Sequence, residues 1–160
     1  MLEYKHLLGR TFVYGGTDCL GLLRDFYKEN FSINFPNYAR PVEFWKHGMD
    51  LYKTLVWKNG FRPLDCHPSE YLPGDLLLIA INSNLANHAC VLLEDSYILH
   101  HVYGNLSTAE FYSGAWRNRT LGVYRHPAVK YVSSESTLDL MDLLPKAKQD
   151  ALRTSRQTVR

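Results

Sequence analysis

The segment Tyr14-Gly-Gly-Thr-Asp-Cys-Leu-Gly-Leu-Leu-Arg-Asp-Phe-Tyr27 constrains the fold more than any other stretch of the chain. The glycine pair makes a tight turn, Asp18 is a capping residue, and Leu22, Leu23, Phe26 and Tyr27 recur at helical spacing. These features predict a helix from Asp18 to about Glu29 with Cys19 in its first turn. Positions 19, 22, 23 and 26 share one face, which needs a partner surface. An extended, proline-punctuated stretch over 31–42 follows, then a second helix through Met49, Tyr52, Leu55 and Val56, stopped by Gly60. After the turn Tyr71-Leu-Pro-Gly-Asp75 the period changes. Short apolar runs predict strands over 76–81, 88–93, 97–103 and 120–125. Helices first and antiparallel strands afterwards make an α+β layout, with the cysteine end of the first helix packed on the sheet.

At 160 residues the chain is long enough for one domain that buries roughly 70% of its unfolded surface. Hydrophobic content of 46% supplies a core without disulfide staples, and three cysteines without paired spacing form no disulfide framework. The main domain is expected over 1–128 and a C-terminal extension over 129–160. That extension holds a short helix (138–144) capped by Ser136 or Thr137 and ended by Pro145. From Lys146 onward five basic residues face one acid, so the end carries +4 and the rest of the +2 chain carries −2. Such an end reads as a solvated tail, and no nucleic-acid partner is expected. The opening Met-Leu-Glu-Tyr-Lys-His has no apolar run like a signal-peptide core, and no stretch reads as a membrane span. A reducing cytoplasm is the expected compartment. Gly15-Gly16 lacks the spacing of a dinucleotide fingerprint, and no cofactor is expected.

The chemistry-bearing residues are a thiol and three imidazoles. Cys19 at a helix start meets unpaired N–H groups and the positive end of the dipole, which favours thiolate over thiol. This predicts a thiol pKa lowered from about 8.5 into the range of about 3.5–7.5. His88 opens a strand, and His100 and His101 lie on the next one. Nucleophile, base and orienting group are the parts of an activated thiol. The hairpin register decides which of the two later histidines is the orienter. A three-residue loop over Glu94-Asp95-Ser96 pairs Leu93 with Tyr97 and puts His100 on the His88 face; a two-residue loop puts His101 there. The loop lacks Gly and Asn-Gly, which favours the longer loop and His100. Cys90 shares the His88 face and reads as core; Cys66 reads as incidental. Zinc held by Cys19, His88 and His100 is the rival reading, but no Cys-x-x-Cys or His-x-x-x-His spacing supports it.

Several motifs resemble the NlpC-type cysteine endopeptidases: Gly-Gly…Asp-Cys-x-Gly-Leu, the Pro73-Gly-Asp turn, Asn87-His-Ala, and a histidine twelve residues after His88. A branch found in phage tail tips also shares Asp18-Cys-x-x-Leu-x-Arg-Asp-x-Tyr, Ile98-Leu-His-His, Gly104-x-Leu-Ser107 and Arg125-His126. The resemblance implies a papain-like α+β core that cuts peptide stems of bacterial peptidoglycan. It implies Cys19 as nucleophile, His88 as general base and His100 as the group holding the other ring nitrogen of the base. It also implies other tail tip proteins as partners, assembly in the host cytoplasm and residence in the virion tail tip. Leu20 stands where the family usually has Ser, and Phe12 where a tyrosine helps hold the oxyanion, although Tyr14 is near. Those departures motivate an alternative, a tail tip assembly factor or plug whose cleft is catalytically vestigial.

Overall fold

Helix α1 spans Cys19–Phe31 in a computed structural model that describes residues 1–130. Its start is fixed by Asp18, whose carboxylate accepts from the backbone N–H of Gly21 at 3.0 Å and of Gly15 at 2.8 Å. The Arg40 guanidinium, buried like Asp18 itself, donates to both carboxylate oxygens. A buried ion pair is tolerable only with its lone pairs met, and here cap, turn and guanidinium meet them together. A Cβ on Gly21 would stand 1.9 Å from the Gly16 carbonyl oxygen, so the turn folds back onto the helix in a way only glycine permits. The helix ends at Ser32, a left-handed residue whose N–H returns to the Lys28 carbonyl.

A second helix, α2, spans Leu51–Lys58, close to expectation. Six strands then form one antiparallel sheet: β1 (Arg62–Pro63), β2 (Leu76–Ile79), β3 (His88–Leu92), β4 (Tyr97–His100), β5 (Thr108–Phe111) and β6 (Thr120–Arg125). Their order is β1-β6-β2-β3-β4-β5. A one-turn helix, α3 (Gly114–Arg117), connects β5 to β6. The layout is α+β, as the change of period predicts.

The central strands β2 and β3 are buried along their whole length. Helix α1 lays Leu22, Leu23, Phe26 and Tyr27 on one sheet face, against Leu76, Leu78, Ala89, Val91 and Leu99. The opposite face holds a smaller cluster of Leu77, Ile79, Cys90, Leu92, Ile98, Tyr112 and Val123. Each buried aliphatic side chain contributes roughly 1.5–3 kcal/mol, so the first face carries most of the stability. The turn before β2 is locked by Asp75, which accepts from the Leu72 N–H at 2.8 Å and from Arg125 at 2.6 and 2.7 Å. Gly74, at φ +95°, lets that turn pass under Phe31, where a Cβ would meet the ring at 2.8 Å.

The hairpin register is the one expected. Val91 pairs with Leu99 and Leu92 with Ile98, and the Leu93 N–H donates to the Tyr97 carbonyl at 2.8 Å. Continued by one residue, it sets Cys90 opposite His100, on the His88 face.

Three features differ from the sequence reading. Strand β4 ends at His100 rather than at 103, because the Asn105 N–H closes a turn onto the Val102 carbonyl and sends the chain back as β5. Strand β2 ends at Ile79, where its register with β6 shifts. Strands β1 and β5 and helix α3 were not expected; each is too short or too exposed to show a period. The expected helix over 138–144 and the basic end lie outside the described residues. Among the described residues no helix is long and apolar enough to cross a membrane.

Candidate active site

Cys19 and His88 line one cavity of about 550 Å³. Phe12, Tyr14, Val42, Trp45, Tyr52 and Tyr103 give it largely aromatic and apolar walls. The sulfur arrives there because Asp18 caps α1 at the end of the sheet. The imidazole arrives because Asn87 fixes the entry to β3: its side chain accepts from the Ile81 N–H at 2.8 Å and donates to the Ile81 carbonyl at 2.9 Å. No hydrogen bond joins the sulfur to the imidazole among the described residues. Instead Cys19 Sγ lies 3.1 Å from the hydroxyl oxygen of Tyr52 on α2.

Cys19 is 4% exposed. Burial pushes its thiol up to about 11, and the Asp18 carboxylate adds to the rise; the Tyr52 hydroxyl, a hydrogen bond with the Ala89 backbone and the Arg40 charge oppose it. The lowering expected from the helix start is therefore overturned. The first-turn N–H of Gly21 is already taken by Asp18, whose negative charge disfavours a thiolate beside it. At neutral pH the group is a thiol.

His88 Nε2 lies 3.2 Å from His100 Nδ1, within hydrogen-bond reach. His100 Nε2 in turn lies 2.6 Å from a Glu110 carboxylate oxygen, close enough for an ion pair although off the line of a well-aligned hydrogen bond. Glu110 belongs to β5 and pairs with Ile98, so it shares the face of His100 one diagonal step away. The carboxylate selects the His100 tautomer with its proton on Nε2. His100 Nδ1 is then an acceptor, His88 Nε2 a donor, and His88 Nδ1 a bare lone pair. Desolvation, with the His100 and His101 rings adding to it, pulls the His88 pKa down to about 3, so the ring is neutral at physiological pH. Desolvation also lowers His100, with Glu110 opposing.

His101 sits on the other face, against Phe12 at 5.0 Å between ring centroids, with Nε2 3.1 Å from the Asn105 carbonyl. It lines the cavity but is buried rather than at the surface, and among the described residues no hydrogen bond joins it to His88. Tyr14 points its hydroxyl away, donating to the Pro41 carbonyl at 2.7 Å. Cys90 is buried beside His88 and His100. A second cavity of about 510 Å³, near Tyr71 and Tyr112, contains none of these groups.

The sequence profile described as the NlpC/P60 family matches residues 9–125. The chain belongs to the NlpC/P60 family. Two curated phage proteins are similar to it, both named "Tail tip assembly protein K". The one from Escherichia phage lambda is 36% identical over 123 residues, 77% of this chain and 60% of that protein. The one from Escherichia phage N15 is 34% identical over 126 residues, 78% of this chain and 51% of that protein. This NlpC/P60 chain thus spans about half to three fifths of their length. Among solved structures, an NLP/P60-family protein from Staphylococcus aureus superposes with a TM-score of 0.52 at 20% identity, covering 75% of this chain and 37% of that one. An NlpC/P60 protein from Bacillus cereus gives 0.53 at 16% identity, over 76% and 37%. At that identity the likeness shows the fold.

Two residues of this NlpC/P60 site escaped the sequence reading. Tyr52 was read only as part of an apolar helical stripe, and Glu110 stands in a strand that gave no signal. Neither carries a motif; only the tertiary fold brings them to the sulfur and to His100.

Proposed function

We propose that this chain is a cysteine endopeptidase of a phage tail tip that hydrolyses peptide stems of bacterial peptidoglycan. The observation that carries the reading is the array Glu110, His100, His88, whose last member lines the cavity that also holds Cys19. Family membership supports the peptidase class, and the two phage relatives support the tail tip of the virion and other tail tip proteins as partners; assembly in the host cytoplasm is part of the same proposal.

In this mechanism a stem peptide lies in the cavity with its scissile carbonyl against Cys19. Thiol and imidazole are both neutral beforehand, so proton and bond move together: His88 Nδ1 takes the thiol proton as sulfur attacks the carbonyl carbon. Negative charge develops on the carbonyl oxygen. The backbone N–H of Cys19 and the Tyr52 hydroxyl, 3.1 Å from the sulfur, are assigned as its donors, with Tyr52 taking the part that Phe12 lacks the oxygen to play. His88 then hands the proton to the leaving amine, and water, deprotonated by the same nitrogen, cleaves the thioester. His100 and Glu110 hold the tautomer throughout.

The test is cleavage of purified muropeptides by wild type and by Cys19→Ala. Hydrolysis should fall by about 10⁴-fold or more in the variant while the fold is retained. A second reading, the vestigial assembly factor or plug, is favoured by one observation: a 4%-exposed thiol raised to about 11 is a poor resting nucleophile. Equal phage assembly with both proteins, and no cleavage by either, would establish it.

A further inference from the structure

We propose that His88, Cys90 and His100 form a binding site for a borderline divalent cation of the zinc type, and that occupancy switches the site off; the second half rests on the peptidase reading above. One ligand atom from each residue lies within 4.8 Å of the others, and all three residues are buried. The convergence follows from strand geometry. His88 and Cys90 are two apart on β3 and so share a face, and the register sets His100 opposite Cys90. This spacing matches no zinc motif, yet the sheet delivers two imidazoles and a thiol close together.

The donor set is one that zinc prefers. With Zn–N about 2.0–2.1 Å, two nitrogens on one tetrahedral ion stand roughly 3.3 Å apart. His88 Nε2 and His100 Nδ1 already stand 3.2 Å apart. Bringing the sulfur into the same shell needs a movement of about 1 Å. The outer partner is also in place: a ligating histidine donates its far N–H to a carboxylate, and Glu110 sits at that nitrogen of His100. The Trp116 ring covers the cluster, its centroid 4.8 Å from that of His100 and 6.1 Å from that of His88. The peptidase chemistry gives Cys90 no task, and for packing alone an alanine or valine would serve.

Binding balances simply. The Cys90 thiol gives its proton to solvent and its sulfur ligates as thiolate. His100 ligates through Nδ1 and keeps its Nε2 proton toward Glu110. His88 ligates through Nε2, so its single proton moves to Nδ1. That is the nitrogen which must accept from Cys19, and once protonated it has no lone pair to offer. The metal thus acts on the tautomer of the base and never touches the nucleophile.

Titration of the full chain with Co²⁺ and then Zn²⁺ tests this. Wild type and Cys19→Ala should each bind one ion, with a sulfur-to-cobalt charge-transfer band in the near ultraviolet that zinc abolishes. Cys90→Ala should lose the band and bind at least about tenfold more weakly, with Cys90→Val as the core-filling control should the smaller residue unfold the sheet. Zn²⁺ should inhibit muropeptide cleavage by wild type, reversibly on chelation, and leave Cys90→Ala active. No binding by wild type, equal binding by the Cys90 variants, or a band that disappears with Cys19→Ala instead overturns the site. Binding by wild type with no hydrolysis even after chelation leaves the site standing and removes the peptidase.

Discussion

Neighbouring residues of β3 live in different chemistries. Ala89 and Val91 face α1 in a close-packed apolar layer, whereas His88 and Cys90 face Trp116, His100 and Glu110 on the other side of the same strand. The first face is specified by volume, shared among many side chains, so no single atom decides it. The second is specified atom by atom: one carboxylate oxygen, two ring nitrogens and one proton position determine whether His88 Nδ1 is a base. Stability and activity should therefore separate by strand parity, and substitutions chosen by face either break that separation or sharpen it.

The largest effect belongs to the packed face. Leu23 is fully buried between α1 and the sheet, and Leu23→Ala should cost about 2–5 kcal/mol of unfolding free energy by leaving a cavity. Denaturant titration reads that loss, while muropeptide hydrolysis per folded molecule stays at the wild-type value. A fall in the rate per folded molecule would show that the faces are coupled after all.

Next comes Tyr52, which shares the packed cluster with Cys19 itself. Tyr52→Phe keeps the ring in the core and removes only the hydroxyl 3.1 Å from Cys19. Cleavage should slow by roughly 10²–10³-fold, the usual cost of one preorganised donor, with a change in stability near the roughly 1 kcal/mol of one hydrogen bond. A wild-type rate would remove Tyr52 from the chemistry and leave the Cys19 N–H as the remaining donor.

These two residues also show what a sequence can reveal. The apolar face was legible because period carries it: Leu22, Leu23, Phe26 and Tyr27 mark α1, and the runs at β2, β3 and β6 mark the strands they pack on. The position of Cys19 was legible because a Gly-Gly turn and a capping Asp place it at a helix start. The register that sets His100 on the His88 face was favoured, though not fixed, by the composition of the hairpin loop. The ionisation of Cys19 was not legible: it depends on how deeply the sulfur sinks and on where the Asp18 charge ends up, and both are tertiary facts. Glu110 was hidden for a related reason. Its strand is exposed and four residues long, so nothing periodic announces that a carboxylate will meet His100.

Glu110→Gln tests the tautomer directly. The amide keeps the shape but has no charge to hold the proton on His100 Nε2, so a fraction of His100 turns its protonated nitrogen toward His88 and reverses the relay. The maximal rate kcat should fall about tenfold while KM stays at its wild-type value, because Glu110 does not line the cavity. Glu110→Asp, which restores the charge on a shorter arm, should recover part of the loss. A rise in KM with kcat unchanged would mean that Glu110 contacts substrate and is not a positioning residue.

The smallest effect is a pH dependence of stability carried by the polar face alone. His88 is pulled down to about 3 in the folded chain, against about 6.5 when unfolded. Between these values the unfolded state holds the extra proton, so stability rises with pH through the window and is lost as pH falls. From pH 7 to pH 6 the single group should remove about 0.7 kcal/mol. His88→Asn should abolish that part of the drop, read as the difference between wild type and variant in denaturant titrations at the two pH values, so that the other histidines cancel. Leu23→Ala, by contrast, should lower both curves and leave their spacing alone. If His88→Asn shows the full wild-type drop, the folded ring takes up a proton as readily as the unfolded one. At pH 6 it is then mostly charged, its Nδ1 lone pair is taken, and the polar face of β3 holds a charge where a base is required.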